Sequence, residues 1–231
     1  MDTHKTKRAI ITGASGMIGR LVLQHCLAND AITEVVSLVR KRSSQNDPKL
    51  TEVVIPDFNS LDAGATYWQN IDVVFYCIGV YTGSVNRALF RQITVDYPVH
   101  FGKNIAKYSP NAKVVLLSGQ GADRSEKSKV MFAKDKGAAE NALSNMGFQS
   151  FNALRPGYIY PVEKRSEPNV SYRLMRRLYP LLKGLGSKFS ISSVGLARVM
   201  FDIGLHGSKR EIYENQDLIH HLKTLSHEVN S

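Results

Sequence analysis

The chain has 231 residues, 43% of them hydrophobic and 22% charged, a balance that suits one folded α/β domain with a full core. No apolar stretch approaches the ~20 residues that span a bilayer, and the polar start from Met1 to Arg8 has no apolar segment of its own, so neither a membrane span nor a secretory signal is expected. The formal net charge is +10, but the cations form no single long run, so charge alone does not argue for a nucleic-acid partner.

In chain order, Ala9 to Thr12 reads as a buried parallel strand. Gly13, Gly16 and Gly19 follow, and a helical pattern runs from about Gly16 to Ala28. Glycines there allow a tight turn that brings backbone N–H groups against a diphosphate, with the positive end of the helix behind it. Gly13, Ser15, Gly16, Met17 and Ile18 are the expected contacts. Gly19 removes a side chain where the helix packs closely on the strand. A ligand-free glycine turn is the plainer alternative. A strand before and a helix after is the context that favours a dinucleotide.

The second strand, Glu34 to Val39, ends at Arg40-Lys41-Arg42. An acid at this position would accept hydrogen bonds from the adenosine ribose and repel a 2′-phosphate. Cations stand here instead, and a guanidinium matches a phosphate in shape and charge. The expected cofactor is therefore NADP (NADPH), with Arg40 reading the phosphate. Ser43 to Pro48 reads as a loop, and a short third strand runs from Glu52 to Ile55. It ends at Pro56-Asp57-Phe58, where Asp57 is expected to accept from the adenine amine and Phe58 to form an apolar wall. The fourth strand, Asp72 to Gly79, places Cys77, Ile78 and Gly79 beside the cofactor.

A long helical pattern covers about Ser84 to Tyr108, with Leu89, Ile93, Val99, Phe101 and Ile105 on its buried face and Asp96 in a structural role. The fifth strand, Lys113 to Ser118, leads into a loop through Lys129 and a helix from about Val130 to Met146. The sixth strand, Phe151 to Leu154, ends in Arg155-Pro156-Gly157-Tyr158-Ile159; Pro156, Gly157, Tyr158 and Ile159 are expected beside the nicotinamide. A plain Pro-Gly turn is the structural alternative there.

Strands alternating with helices imply a doubly wound parallel sheet, the Rossmann fold. Residues 1–231 form one domain, with 157–231 expected to supply most of a small substrate cap. Within it, Val170 to Tyr179 reads as a basic amphipathic helix, ended by Pro180 and packed on its own domain. Cys26 and Cys77 read as reduced thiols of a cytoplasmic protein, His220-His221 as surface, and no residue cluster has metal-ligand spacing.

Several stretches together resemble the short-chain dehydrogenase/reductase superfamily, in the atypical branch that includes Tat-interacting-protein-like proteins and bacterial NAD(P)-binding oxidoreductase-like relatives. They are Thr12 to Gly19, Leu38-Val39-Arg40, Leu117 to Asp123, Lys136-Gly137-Ala138-Ala139-Glu140, Leu154 to Gly157 and Val194 to Met200. The resemblance implies an NADP-type cofactor and a Ser, Tyr and Lys set. In that set the tyrosine moves the substrate proton, and the lysine binds the nicotinamide ribose and lowers the tyrosine pKa. Ser118 and Lys136 match the serine and lysine. Phe132, four residues before Lys136, stands where the tyrosine belongs and has no proton to give. Two functions follow: an NADPH-dependent oxidoreductase on an unknown small substrate, with Tyr81 or Tyr158 as a substitute acid, or a catalytically silent NADPH-binding regulator or redox sensor that acts through a protein partner. The cation at position 40 has a direct test in equilibrium binding. Arg40→Asp weakens NADPH more than NADH, and equal effects on both would show that Arg40 does not read the 2′-phosphate.

Overall fold

Aliphatic and β-branched runs with no polar alternation must be covered on both faces, and they pair here into one parallel sheet. The computed structural model describes residues 6–62, 64–162 and 189–228. In chain order the elements are β1 (Lys7–Thr12), α1 (Met17–Ala28), β2 (Ile32–Val39), β3 (Leu50–Val54), β4 (Val73–Tyr76), α2 (Arg87–Arg91), α3 (Tyr97–Tyr108), β5 (Lys113–Leu117), α4 (Met131–Ser144), β6 (Ser150–Arg155), β7 (Tyr158–Tyr160), β8 (Ser190–Ser192), α5 (Ser193–His206), β9 (Ile212–Glu214) and α6 (Asn215–Glu228). The main sheet has seven strands in the order β3-β2-β1-β4-β5-β6-β9, and every pairing is parallel. Strands β7 and β8 pair separately, also in parallel.

Two cores flank the sheet. On one face Val22, Leu23 and Cys26 of α1 meet Val199, Met200 and Ile203 of α5 over Ile11 and Phe75. On the other, Phe101 and Ile105 of α3 and Leu143 of α4 cover Ile10, Val74 and Leu116 beside the wholly buried Trp68. The indole N–H of Trp68 donates to the Asp62 carbonyl at 2.7 Å, which satisfies its one polar atom. Helix α4 is fastened to α2 by Asp135, a buried carboxylate that accepts from Arg87 at 2.5 and 3.0 Å and from Arg91 at 3.1 Å.

The structure departs from the sequence expectations in the long helix, at the edge of the sheet beyond β6 and at His221. The helix expected over 84–108 is interrupted by a π-helical turn at Gln92–Asp96. Pro98, in the first turn of α3, has no N–H to return to the preceding turn, and a widened turn absorbs the loss. Phe101 and Ile105 are buried as expected, while Leu89, Ile93 and Val99 are half-buried. A seventh strand, β9, joins the sheet at β6. Three residues are too few to show a period. Asn152 fixes this edge by donating its side-chain amide to the Arg210 carbonyl at 2.6 Å. Within the stretch 157–231, α5 and β9 belong to the layers of the sheet, and β7 and β8 stand beside its carboxyl edge. The basic helix expected at 170–179 lies outside the described residues. His221 is not a bare surface group: its Nε2 lies 2.7 Å from Asp202.

The first turn and α1 touch through backbone. A Cβ at Gly19 would lie 2.2 Å from the Gly13 carbonyl oxygen, which has no room to retreat. Gly19→Ala should lower the urea unfolding free energy by about 2–3 kcal/mol. An unchanged midpoint would mean that the turn has slack.

Candidate functional site

The strand order reverses between β1 and β4, and the crevice outside their carboxyl ends is where doubly wound sheets bind ligands. A cleft of about 660 Å³ opens there. Gly16, Met17, Ile18, Cys77, Ile78, Gly79, Ser118, Lys136, Pro156, Gly157, Tyr158 and Ile159 line it, which brings together twelve of the residues singled out in the sequence. Val80, Tyr81, Leu117, Gly119, Gln120 and Phe132 complete the lining.

Gly13 stands in the left-handed region, at φ +72°, and a Cβ there would lie 2.8 Å from the Cys77 carbonyl. Only glycine meets both conditions. The Gly16 N–H donates to the Gly13 carbonyl at 2.9 Å, and Ser15 is exposed on the turn between them. Gly16 is the N-cap of α1, so the cap position itself puts no side chain in front of this helix end. A glycine cradle under an uncapped helix N-terminus fits the diphosphate of a dinucleotide.

At the far end of β2, Arg40 and Asp57 are exposed and lie outside the lining of this cleft. Asp57 accepts from the Asn59 N–H at 2.9 Å. Phe58 is not an open wall: it is 4% exposed, belongs to the second core, and its ring centroid lies 5.8 Å from that of Tyr97. A side chain already packed against protein leaves little face for an adenine. Tyr97 was not foreseen, because it sits inside a helical pattern. Burial raises its pKa, Asp57 raises it further and Arg40 opposes, so all three act on the Tyr97 hydroxyl.

At the opposite end, β5 delivers Ser118 and α4 delivers Phe132 and Lys136. The Phe132 ring closes over Gly119, where a Cβ would lie 2.6 Å from the ring tip. Gly137 lets α4 rest on the loop after β5, since a Cβ there would fall within 1.8 Å of the Asp123 carbonyl oxygen. Among the described residues, the Lys136 ammonium donates to the Leu117 carbonyl alone, at 3.5 Å. Burial lowers its pKa to about 8, and the charge of Glu140 works against that shift.

Glu140 is the residue that the sequence reading passed over. It is wholly buried, and each carboxylate oxygen takes two donors. Ser118 Oγ donates to Oε1 at 2.5 Å and Arg155 Nε at 3.0 Å, while Arg155 Nη2 donates to Oε2 at 2.5 Å and Arg124 Nε at 2.9 Å. The arginines continue to the C-terminal part of the chain, Arg155 to Glu214 at 2.8 Å and Arg124 to Glu211 at 2.6 Å. The available signal was an acid one helical turn after Lys136, among alanines and a glycine. The Ser118 proton is therefore committed to Glu140, and only the lone pairs of Oγ are left for the cleft. Burial pushes the Cys77 thiol far up, which favours the protonated form, and its sulfur lies 3.8 Å from that of Met200. Among the described residues, no group of three acids, histidines or cysteines could hold a metal ion.

A glycine cradle at the switch point of a parallel sheet defines a dinucleotide-binding Rossmann protein. The family described as NAD(P)H-binding matches residues 13–204, and this chain belongs to it. It is 25% identical over 221 residues to Protein HTATIP2 of Rattus norvegicus, covering 94% of this chain and 89% of the relative. It is 28% identical over 163 residues to Protein fmp52, mitochondrial, of Emericella nidulans, covering 68% and 69%. Among solved structures, the PhqB reductase domain of Penicillium fellutanum superposes with a TM-score of 0.68 at 15% identity, covering 91% of this chain and 67% of that one. Yeast methylglyoxal/isovaleraldehyde reductase Gre2 complexed with NADPH superposes with a TM-score of 0.66 at 16% identity, covering 90% and 78%. These likenesses show the fold, and the atypical branch of the short-chain dehydrogenases/reductases fits the chain. No helix among the described residues is long and apolar enough to cross a membrane.

Removing a buried anion that holds two guanidinium groups leaves uncompensated charge. Glu140→Ala should therefore cost about 3–5 kcal/mol in urea unfolding. A loss below about 1 kcal/mol would show that solvent already reaches the two arginines.

Proposed function

We propose that the chain is an NADP(H)-binding oxidoreductase that acts on a small carbonyl compound. The observation that carries this reading is one cleft shared by the glycine cradle, the lysine on α4 and the loop after β6. A bound NADPH would supply a hydride at C4 of its nicotinamide. In this reading the turn from Gly13 to Ile18 holds the diphosphate against the helix end. Arg40 meets the 2′-phosphate and Asp57 the adenine. Lys136 holds the nicotinamide ribose, and backbone from Pro156 to Ile159 meets the carboxamide. Ser118, whose proton is held by Glu140, can only accept, so it would meet a hydroxyl of the substrate or product and not the carbonyl oxygen. The proposed substrate region is the mouth formed by Tyr81, Phe132 and Tyr158. The compartment of this reading is the cytoplasm. The fungal relatives carry the word mitochondrial in their names, and cell fractionation decides between the two.

Phe132 supports a second reading, a silent NADPH-binding regulator or redox sensor working through a protein partner. Calorimetry with NADPH and NADH, together with NADPH oxidation over a panel that includes methylglyoxal and isovaleraldehyde, separates the two. The enzyme reading expects NADPH binding, measurable oxidation, and a gain of about 10²-fold on Phe132→Tyr, the usual worth of a placed acid. Tight binding with no oxidation in either protein establishes the regulator. Failure to bind either dinucleotide overturns both.

A further inference from the structure

We propose that Lys136 is the proton donor of this site: its ammonium, with no tyrosine between, passes the proton to the substrate oxygen. The assignment rests on the oxidoreductase reading above. Three observations carry it. The place one helical turn before Lys136 is filled by Phe132, whose ring lies over Gly119 and carries no proton. The only hydroxyl that β5 brings to the same wall, Ser118, already donates to Glu140 at 2.5 Å. The Lys136 ammonium lines the cleft and makes a single long contact, 3.5 Å to the Leu117 carbonyl, so its remaining N–H bonds have no protein acceptor among the described residues.

The chemistry of the group agrees with this placement. A free lysine, with a pKa near 10.4, is a sluggish acid at neutral pH. Burial brings Lys136 down to about 8, so it is charged at neutral pH and gives its proton up readily. Four titratable groups surround it. Glu140 follows it on α4 and pulls the other way, with Arg155 and Arg124 beyond. Cys77 after β4 is held neutral by burial. Tyr81 and Tyr158 line the cleft from the β4 loop and from β7.

The step balances as follows. A reduced nicotinamide, when bound, would supply hydride to the carbonyl carbon, and the C=O π pair would move onto oxygen. One N–H bond of Lys136 breaks as the O–H bond forms. The neutral amine then recovers a proton from solvent.

Two measurements test the assignment, one without cofactor. In protein carrying lysine labelled with ¹³C at Cε, the resonance that disappears in Lys136→Arg should titrate near pH 8. Titration near 10.4 would overturn the assignment. In single-turnover NADPH oxidation with the same aldehydes, the wild-type rate should fall above about pH 8. Lys136→Arg keeps the charge but releases no proton at neutral pH. It should lose about 10²-fold in rate at saturating NADPH, whereas Lys134→Arg, exposed on the same helix and outside the cleft, stays within about 3-fold. Turnover that survives Lys136→Arg, or a fall above about pH 8 that persists in that variant, overturns the assignment alone. Absence of turnover in the unaltered chain overturns the oxidoreductase reading, and the assignment with it.

Discussion

The reacting end of the molecule depends on one buried carboxylate. Glu140 has no contact with solvent, and an ion there is tolerable only because two guanidinium groups and a hydroxyl saturate it. Its partners come from β5, from the loop after it and from β6, and the arginines pass the charge on to Glu211 and Glu214 around β9. Four separate parts of the chain are thereby fixed to α4. Since α4 also carries Phe132 and Lys136, their position against the cleft follows from this cluster. The same cluster sets the direction of the Ser118 hydroxyl.

At the other end the constraint is backbone against backbone. The approach of α1 to the first turn, and of that turn to the end of β4, leaves no volume for side chains at Gly13 and Gly19. The N-cap of α1 is Gly16, which has no side chain to cap the first N–H groups of the helix. The two ends use different physics, steric closeness for the anion and buried charge for the wall opposite. Substitutions at one end need not disturb the other.

Much of this was legible in the sequence, for reasons that can be traced to residues. The turn at Gly13 to Gly19 is local, so its strand, cradle and helix are read within twenty positions. The apolar runs of β4 and β5 mark central strands without help from distant residues. What escaped depends on separation. Glu140 meets Arg155 fifteen residues away and, through Arg124, reaches Glu211. No local pattern announces such a meeting, so Ser118 could be named as a site residue while its proton's direction could not. Phe58 has the right chemistry for an adenine wall, but its burial under Tyr97 is a tertiary fact. Strand β9 and the widened turn at Gln92–Asp96 are too short or too irregular to leave a period.

The small parallel pair β7–β8 bears on how much the chain between its strands can vary in length. Tyr158 to Tyr160 leaves the cleft, and Ser190 to Ser192 returns in register beside it, Ile159 opposite Ile191. The chain therefore leaves at one end of this short pair, after Tyr160, and re-enters at the other, at Ser190 opposite Tyr158. Closing a longer or shorter excursion between fixed posts changes the entropy cost only logarithmically. A change in the length of the joining segment therefore costs little, and the glycine cradle and the charge cluster behind Ser118 keep their own contacts.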